Sequence, residues 1–481
     1  MPFVDLPVPG WVWTGATAVL YAGAVVSALH AVMSARTPQG AFGWMIGLLT
    51  LPLVTLPLYW TFGHSKFGAY VHALQDLERD IQEQLGEIRS AVREQHAVPP
   101  DDPRGEELAF RDLATLPFTR GNGARLLIDG EATFDAILSA IDRAEDYVLA
   151  QYYTVADDTI GGRFQQALIR AAERGVQVYF VYDDVGSYAL PRSYGRTLAN
   201  AGVHVTPFSG RRAWLGRLRL NFRNHRKIVV VDGREAFAGG LNVADEYLGH
   251  TEKYPQWRDT HLALTGPTVQ GVQLSFVRDW YWSTGDVLDL PWEPSPCAED
   301  RHALVLATGP ADPVETCGLF YAHAIQSAEE RVWIATPYFV PDGGVLASLQ
   351  LAALRGVDVR VLVPRRADHT VFDFVHYAYL KPLDEAGAKL FFYEPCFAHQ
   401  KVCVVDSDFA AVGTANFDNR SFRLNFELTL LFADADFATE VAAMLDDDFA
   451  QSTRATVEDL DARPFYFHLG IRASRLLEPI L

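Results

Sequence analysis

The sequence predicts an α/β protein of two pseudo-symmetric lobes, each a mostly parallel sheet flanked by helices, preceded by two transmembrane helices. Three observations support this prediction: an internal repeat after residue 116, a His-Lys-Asp pattern present once in each half, and two uncharged stretches near the N-terminus. The predicted organisation is a membrane anchor over 1–66, an amphipathic helix and linker over 67–116, a first lobe over 117–300, and a second lobe with a C-terminal amphipathic tail over 301–481.

The composition argues against some classes of partner. The chain of 481 residues has 41 Lys and Arg against 60 Asp and Glu, a formal net charge of -19. Nucleic-acid binders are usually basic, so we expect no nucleic-acid partner. The 4 cysteines form no CxxC pair and no Cys/His cluster with zinc spacing, which fits a reducing compartment and predicts no metal site of that kind.

The N-terminal region predicts two membrane spans. Residues 11–33 and 41–62 contain no charged side chain, and a helix over the first stretch would be about 34 Å long, enough for a bilayer core of about 30 Å. A cleaved signal peptide is disfavoured because no basic residue precedes Trp11, and two buried core helices are the other alternative. Arg36 between the spans, against Lys66 and Arg79 after them, favours a cytoplasmic catalytic part.

An amphipathic helix is predicted next. Apolar residues recur every three or four positions over 67–92 among charged and amide side chains. This helix either packs on the catalytic part or pairs with a second copy of the chain in a homo-oligomer, and the first interpretation is favoured. A proline-rich linker over 99–103 then separates the membrane part from the soluble part.

The rest of the chain contains a repeat. Residues 143–150, 173–181 and 201–205 parallel residues 327–334, 354–362 and 386–390 in sequence and order. Each half alternates strands with helices, which is typical of a mostly parallel sheet covered by helices. We expect the two lobes to be related by a pseudo-twofold axis, to join near 291–311, and to share one cleft.

The motif of each half ends this repeat. The first copy is His225, Lys227 and Asp232, followed by Gly239-Gly240 and Asn242, and the second copy is His399, Lys401 and Asp406, followed by Gly413 and Asn416. Each copy contains a β-branched apolar run typical of a buried strand, in which alternate side chains share a face. Each His and its Lys are therefore expected to point the same way.

Two such motifs suit a two-step displacement at phosphorus. One imidazole attacks a phosphodiester and forms a phosphohistidine, while the other donates a proton to the leaving alkoxide and then deprotonates the incoming alcohol or water. Lys227 and Lys401 would neutralise the non-bridging oxygens, with Asn242 and Asn416 as neutral donors, so no metal or other cofactor is expected. Asp232 and Asp406 have two interpretations, as strand-end turn residues or as carboxylates that orient a neighbour.

These residues resemble the phospholipase D superfamily, whose signature is HxKxxxxD twice, and nearly the whole chain is similar to bacterial cardiolipin synthases. The segments that carry the resemblance are 223–233, 239–247, 257–259, 336–339, 413–421 and 425–427, with Thr414-Ala415 where the family usually has Gly-Ser. The resemblance implies phospholipase D-like lobes and a catalytic set of His225, Lys227, Asp232, His399, Lys401 and Asp406. The candidate substrate-binding residues in these segments are Asn242, Asn416, Arg223, Arg258, Arg420, Glu246 and Glu427.

The resemblance also implies a reaction. Two phosphatidylglycerol molecules would become cardiolipin and glycerol at a bacterial cell membrane, with His225 as nucleophile and His399 as acid and base. Four alternatives remain open: a phospholipase D-type hydrolase, a cardiolipin synthase variant with phosphatidylethanolamine as donor, a nuclease, and a non-enzymatic membrane scaffold. The spans and the acidic charge disfavour the nuclease, and two intact motifs disfavour the scaffold.

Two further segments are candidate membrane contacts. Residues 211–227 contain seven basic and no acidic side chains, interleaved with apolar ones, which suits an anionic lipid surface, although a solvated loop is the alternative. The tail over 465–481 is amphipathic, and it either lies on the membrane or closes the core.

Overall fold

The computed structural model describes residues 10–35, 38–63, 68–80, 113–209 and 221–480, together with residues 86, 89–90, 92 and 94–98. The chain forms two compact units. The first contains Met1–Gly68 and Arg212–Phe222, and the second contains Ala69–Arg211 and Arg223–Leu481. The predicted linker at 99–103 and most of the basic segment at 211–227 lie outside the described residues.

The helices of the described residues are as follows: α1 (Gly10–Ser34), α2 (Pro38–Thr50), α3 (Pro52–Phe62), α4 (Gly68–Asp80), α5 (Asp129–Arg143), α6 (Thr159–Glu173), α7 (Arg192–Asn200), α8 (Val269–Thr284), α9 (Thr316–Ser327), α10 (Gly343–Leu354), α11 (Thr370–Ala386), α12 (Asn419–Arg423), α13 (Ala435–Ala450), α14 (Val457–Asp461) and α15 (Phe465–Ser474). Two short 3-10 helices cover Asp245–Leu248 and Arg475–Ile480.

The strands all belong to the second unit. They are β1 (Thr119–Ile128), β2 (Tyr147–Tyr152), β3 (Gln177–Tyr182), β4 (His204–Pro207), β5 (Arg223–Asn224), β6 (Ile228–Val231), β7 (Glu235–Gly239), β8 (Trp257–Arg258), β9 (Thr260–Thr265), β10 (Arg301–Thr308), β11 (Arg331–Ala335), β12 (Phe339–Val340), β13 (Asp358–Pro364), β14 (Lys389–Tyr393), β15 (Phe397–Ala398), β16 (Val402–Val405), β17 (Phe409–Gly413), β18 (Phe417–Asp418), β19 (Asn425–Ala433) and β20 (Ser452–Arg454).

One 16-stranded sheet runs through both lobes, in the order β20-β14-β13-β11-β16-β17-β19-β10-β1-β9-β7-β6-β2-β3-β4, with β5 paired to β19. Read outward from the central antiparallel pair β1–β10, each lobe repeats the same order of strands. The strands β2, β3 and β4 correspond to β11, β13 and β14, the segments in which the sequence repeat lies. The predicted pseudo-symmetry of the lobes is therefore present in the topology.

The sheet is mixed, so the prediction of mostly parallel sheets was wrong. Only β2–β3–β4 and β11–β13–β14 among the long strands pair in parallel. The motif strands β6 and β16 form antiparallel hairpins with β7 and β17, and they pair antiparallel with β2 and β11. Three residues connect the two strands of each hairpin, 232–234 and 406–408, and such a short connection returns the chain antiparallel.

Each lobe has its own hydrophobic core between the sheet and its helices. The first contains Val229 and Val231 of β6, and the second contains Cys403 and Val405 of β16. All four are buried, which confirms the prediction of buried motif strands.

The first unit contains the N-terminal helices. Among the described residues, only α1 is a single helix long and apolar enough to cross a membrane. The second predicted span is divided into α2 and α3, because Pro52 follows Leu51, which has a non-helical backbone at φ -131° and ψ 55°. Ala28, Leu48 and Tyr59 of these three helices are buried against one another.

Helix α4 belongs to the amphipathic region and packs on the catalytic part. Leu77 contacts the buried side chains of Leu116 and Leu274, and the Tyr70 hydroxyl donates to Asp279 Oδ1 at 2.6 Å. This is the favoured one of the two interpretations of this helix. Several residues of its predicted continuation to Val92 lie outside the described part of the chain.

Candidate active site

A cavity of about 480 Å³, here called the central cavity, lies in the second unit and contains both motif histidines in its lining. The predicted residues that line it are His225, His399, Asn242, Asn416, Arg223, Arg420 and Glu246. Lys227, Lys401 and Glu427 are buried behind the histidines, at 0–2% exposure. The expectation that both motifs meet at one cleft agrees with this arrangement.

The backbone around each histidine is hydrogen-bonded to a strand of the opposite lobe. The segment β5 that leads to His225 pairs with the start of β19, and the His225 amide donates to the Phe426 carbonyl at 2.9 Å. In the equivalent place of the second lobe, β15 leads to His399 and pairs with β8 of the first lobe. The His399 amide donates to the Arg258 carbonyl at 2.7 Å. The two lobes therefore exchange backbone hydrogen bonds at the catalytic centre, which couples the positions of the two imidazoles.

The opposite lobe also supplies a carboxylate to each imidazole. His225 Nδ1 lies 3.0 Å from Glu427 Oε2, and His399 Nδ1 lies 2.7 Å from Asp259 Oδ2. Both carboxylate side chains are fully buried. A carboxylate that accepts from Nδ1 fixes the tautomer in which Nε2 carries the lone pair, and this is the arrangement that a histidine nucleophile or base requires.

Asp259 was not among the predicted site residues. The sequence contained a signal for Asp259. The segment Trp257-Arg258-Asp259 stands just before β9, and Asn425-Phe426-Glu427 stands at the start of the equivalent strand β19. The paired glycines have a related role: a side chain at Gly240 would place its Cβ 1.9 Å from Asp259 Oδ1. Glycine at this position therefore leaves room for the carboxylate that orients His399.

Glu427 is held in its ionised form. Its carboxylate accepts hydrogen bonds from Thr414 Oγ1 at 2.6 Å, from Ser421 Oγ at 2.8 Å and from Asn425 Nδ2 at 3.3 Å. Burial raises the pKa of Glu427, but His225, Lys227 and the Thr414 hydrogen bond outweigh burial and lower it overall. Thr414 is the residue that departs from the family pattern, and it supplies one of these donors.

The two lysines lie beside their own histidines. Lys227 Nζ donates to the His225 carbonyl at 2.6 Å, and Lys401 Nζ donates to the His399 carbonyl and lies 2.9 Å from His399 Nδ1. Burial lowers the pKa of Lys227 well below its usual value and that of Lys401 to about 8. An anionic ligand beside these lysines would raise both pKa values and so favour the charged ammonium form.

The pKa of each imidazole is lowered, which favours the neutral form near pH 7. Burial lowers the pKa of His225 to about 4, although Glu427 opposes the shift. Burial, with Lys401 and Lys227, lowers the pKa of His399 well below its usual value. Burial raises the pKa of Asp259, although the charge of Lys401 opposes this shift.

Comparison with known proteins identifies the family. The family described as "Cardiolipin synthase, PLD-like domain" matches residues 137–261 and 321–449, more than half of the chain. The chain is 46% identical over 459 residues to "Cardiolipin synthase A" of Pseudomonas putida (strain GB-1), covering 95% of this chain and 96% of that protein. The chain belongs to the cardiolipin synthase family. The resemblance inferred from the motifs is thereby confirmed.

Other relatives agree with this family. The chain is 46% identical over 458 residues to "Cardiolipin synthase A" of Pseudomonas aeruginosa (strain LESB58), covering 95% of this chain and 94% of that protein. Among solved structures, the phosphatidylserine synthase of Haemophilus influenzae Rd KW20 is similar with a TM-score of 0.57 at 15% identity, over 74% of this chain and 95% of that one. That structure supports the phospholipase D-like fold of this cardiolipin synthase family member.

The motif aspartates lie away from the central cavity. Asp232 accepts hydrogen bonds from the amides of Glu145, Asp146 and Tyr147 at 2.8–3.0 Å. Asp406 accepts in the same way from the amides of residues 329–331 at 2.7–3.2 Å. Both have a left-handed backbone at φ +52°, which aspartate tolerates in tight turns. The structure therefore corrects their inclusion in the catalytic set, because their carboxylates bind backbone at the start of β2 and β11.

Asp232→Ala is accordingly expected to affect stability rather than catalysis. Loss of the carboxylate leaves three amides without their acceptor, which should cost roughly 2 kcal/mol and lower the melting temperature of the solubilised enzyme by about 2 °C. The value of kcat per folded enzyme should stay within about twofold. Asp146→Ala, at an exposed neighbouring acid, is the matched control. A large fall in kcat at an unchanged melting temperature would restore the catalytic interpretation.

Two further predicted substrate-binding residues are engaged within the protein. Arg258 pairs with Asp448 through Nε at 2.9 Å and Nη2 at 3.0 Å, and Nη1 lies 3.3 Å from Asp129. The structure thus corrects the prediction that Arg258 binds substrate, since its guanidinium braces helix α13 instead. Asn242 lines the cavity, but its Oδ1 accepts from the Thr154 amide and its Nδ2 donates to the Tyr247 hydroxyl.

Proposed function

We propose that this chain is a membrane-bound phosphatidyltransferase that makes cardiolipin and glycerol from two phosphatidylglycerol molecules through a phosphohistidine. The observation that carries the proposal is the pair of imidazoles in one cavity, each with Nδ1 on a buried carboxylate of the opposite lobe. Membership of the cardiolipin synthase family supports phospholipids as the substrate class.

In the first half-reaction, His225 Nε2 attacks the phosphorus of one phosphatidylglycerol. The bond to the headgroup oxygen breaks, and His399 donates a proton to that oxygen, so that glycerol leaves neutral. The negative charge of the bound phosphate raises the pKa of His399 and allows it to carry this proton. We assign the nucleophile to His225 because Glu427, which accepts from three donors, opposes the lowering of the His225 pKa and accepts from Nδ1, leaving the lone pair on Nε2.

The second half-reaction reverses these roles. His399 takes the proton from the terminal hydroxyl of the second phosphatidylglycerol, whose oxygen attacks the phosphohistidine, and His225 is released. Lys227 and Lys401 supply the positive charge that stabilises the non-bridging oxygens in both steps. Water in place of the lipid hydroxyl would yield phosphatidic acid.

The proposed membrane attachment uses the N-terminal unit. Helix α1 is apolar along its length, and α2 with α3 supplies the second, broken crossing, so that the chain returns to the cytoplasmic side. The C-terminal helix α15 supports a further contact. Ile471 is buried in the second-lobe core, while Phe465, Tyr466 and Leu469 of the same region are 56–81% exposed.

The experiment that tests the function is product analysis by mass spectrometry. The detergent-purified full-length enzyme is supplied with phosphatidylglycerol liposomes in the presence of EDTA, and we expect cardiolipin and glycerol in equal amounts. Phosphatidic acid as the main product would contradict the synthase and establish the hydrolase. Cardiolipin made only when phosphatidylethanolamine is added would establish the donor variant, and turnover only with an added metal would contradict the mechanism.

A further inference from the structure

The central cavity has a charge asymmetry that the pseudo-symmetry of the lobes does not require. The charged residues of its lining are Arg223, Arg420, Glu246, Asp368 and Asp418, and burial raises the pKa of Asp418 while Arg420 opposes that shift. The charges of Arg420 and Arg223 influence the pKa of Tyr153, whose ring lies 5.0 Å from that of His225. Burial raises the pKa of Tyr153, and these two guanidinium groups oppose that shift. The basic part of the cavity is therefore beside His225.

The acidic part is beside His399. Asp368 opposes the lowering of the His399 pKa that burial and the two lysines cause, and it also opposes the lowering of the Lys401 pKa. Glu246 lines the same cavity and precedes Tyr247, whose ring lies 5.9 Å from that of His399. Burial raises the pKa of Glu246, and the charge of Asp368 adds to the shift. Asp368 is held in place by the Tyr338 hydroxyl, which donates to its Oδ2 at 2.6 Å.

Aromatic rings enclose this acidic part. The rings of Trp257, Tyr247 and Tyr338 lie 5.2, 5.9 and 6.4 Å from that of His399, and Phe372 stacks on Tyr338 at 4.2 Å. Rings beside carboxylates form a pocket with apolar walls and hydrogen-bond acceptors, which suits a small molecule with CH groups and hydroxyl donors.

A phosphodiester would not occupy this position. It carries a negative charge and no donor, and an ionised carboxylate is an acceptor only, so two carboxylates would repel it. A second observation also indicates a donor ligand: Asn416 lines the same cavity at 4% exposure, and its Oδ1 has no hydrogen-bond partner. The two carboxylates and Asn416 Oδ1 therefore suit a ligand group that donates hydrogen bonds and carries no negative charge.

Two ligand classes have that property, a polyol and an ammonium group. The proposed function favours the polyol, because the leaving alcohol is glycerol and the incoming alcohol is the glycerol headgroup of a second lipid. An ammonium ligand is an outcome of the test below.

We infer that Glu246 and Asp368 form a polyol subsite on the His399 side of the cavity, where the headgroup hydroxyls of the leaving and the incoming alcohol bind. The inference rests on the proposed transferase function and adds the place and the recognition of the alcohol. It is consistent with His399 as the proton donor and acceptor for that alcohol, because the subsite puts the reacting hydroxyl beside its imidazole. Glu246 and Asp368 are specificity-determining residues, since they contact the alcohol away from the reacting phosphorus.

The test is an alcohol competition. The full-length enzyme in mixed micelles receives phosphatidyl-p-nitrophenol as donor, with glycerol and 1-propanol at equal concentration as acceptors. Transfer to each alcohol releases p-nitrophenol and forms phosphatidylglycerol or phosphatidylpropanol, which mass spectrometry counts at low conversion, together with any cardiolipin made from the former. The product ratio is internal to each preparation, so partial unfolding of a variant does not change it.

We expect the wild type to prefer glycerol, and Glu246→Gln and Asp368→Asn each to lower the glycerol-to-propanol ratio by about tenfold, the loss typical of one hydrogen bond to a charged group. Glu252→Gln, at an exposed acid outside the cavity lining, should keep the wild-type ratio. An unchanged ratio in both cavity variants would overturn the subsite. A second competition offers glycerol and ethanolamine at equal concentration, and a preference for ethanolamine would also overturn the subsite, because it would indicate an ammonium site. Absence of transfer to any alcohol by the wild type would instead contradict the proposed function itself.

Discussion

His225→Ala and His399→Ala are each expected to lower kcat for cardiolipin formation by about 10⁴-fold or more, because each removes one of two groups that act as a unit. The two variants should differ in their partial reactions. With phosphatidyl-p-nitrophenol, whose leaving group needs no proton, His399→Ala should release one equivalent of p-nitrophenol in a burst and then stall. His225→Ala should show no burst, since it lacks the nucleophile.

Rapid-mixing absorbance measures the burst, and mass spectrometry of the acid-sensitive, base-stable phosphopeptide places the phosphatidyl group. His250→Ala, at a histidine whose side chain is 55% exposed, is the control with wild-type behaviour. A burst in His225→Ala but not in His399→Ala would exchange the two roles. Substantial cardiolipin synthesis by either variant would contradict the two-histidine mechanism.

Glu427→Gln is expected to lower kcat/KM by about 10³-fold, within the range found when a carboxylate behind a catalytic histidine is replaced by its amide. The amide removes the charge that raises the pKa of His225, so the imidazole becomes less basic and its pKa falls below about 4. The acidic limb of the pH profile of kcat/KM should therefore move to lower pH. The amide group also allows the tautomer in which Nε2 carries the proton and cannot attack.

A pH series of initial rates measures both effects, and far-ultraviolet circular dichroism verifies folding. Glu329→Gln, an exposed acid of the same lobe, should leave the profile unchanged. Asp259→Asn should act on the basic limb instead, because His399 must carry the proton. Retention of more than a third of the wild-type kcat/KM by Glu427→Gln would mean that the carboxylate does not orient the nucleophile.

The sequence by itself determined the buried motif strands, the repeat and the motif residues of this protein. The β-branched runs before Asp232 and Asp406 identified β6 and β16 as buried strands, since only a strand within a sheet buries such a run on both faces. The repeated segments identified the equivalent strands of the two lobes, and the spacing of the motifs identified both histidines and the family. These properties depend on residues that are neighbours in the chain.

Tertiary structure alone decided which residues meet across long distances in the chain. Asp232 binds amides about ninety positions earlier, and Glu427 reaches His225 from the other lobe, so no local pattern distinguishes a structural carboxylate from an orienting one. The antiparallel pairing of β6 with β2 and of β16 with β11 is also a tertiary property, because it depends on where each motif hairpin joins the sheet. The charges of the cavity also arise there, because residues such as Glu246 and Asp368, which belong to different lobes, line one cavity only when both lobes pack together.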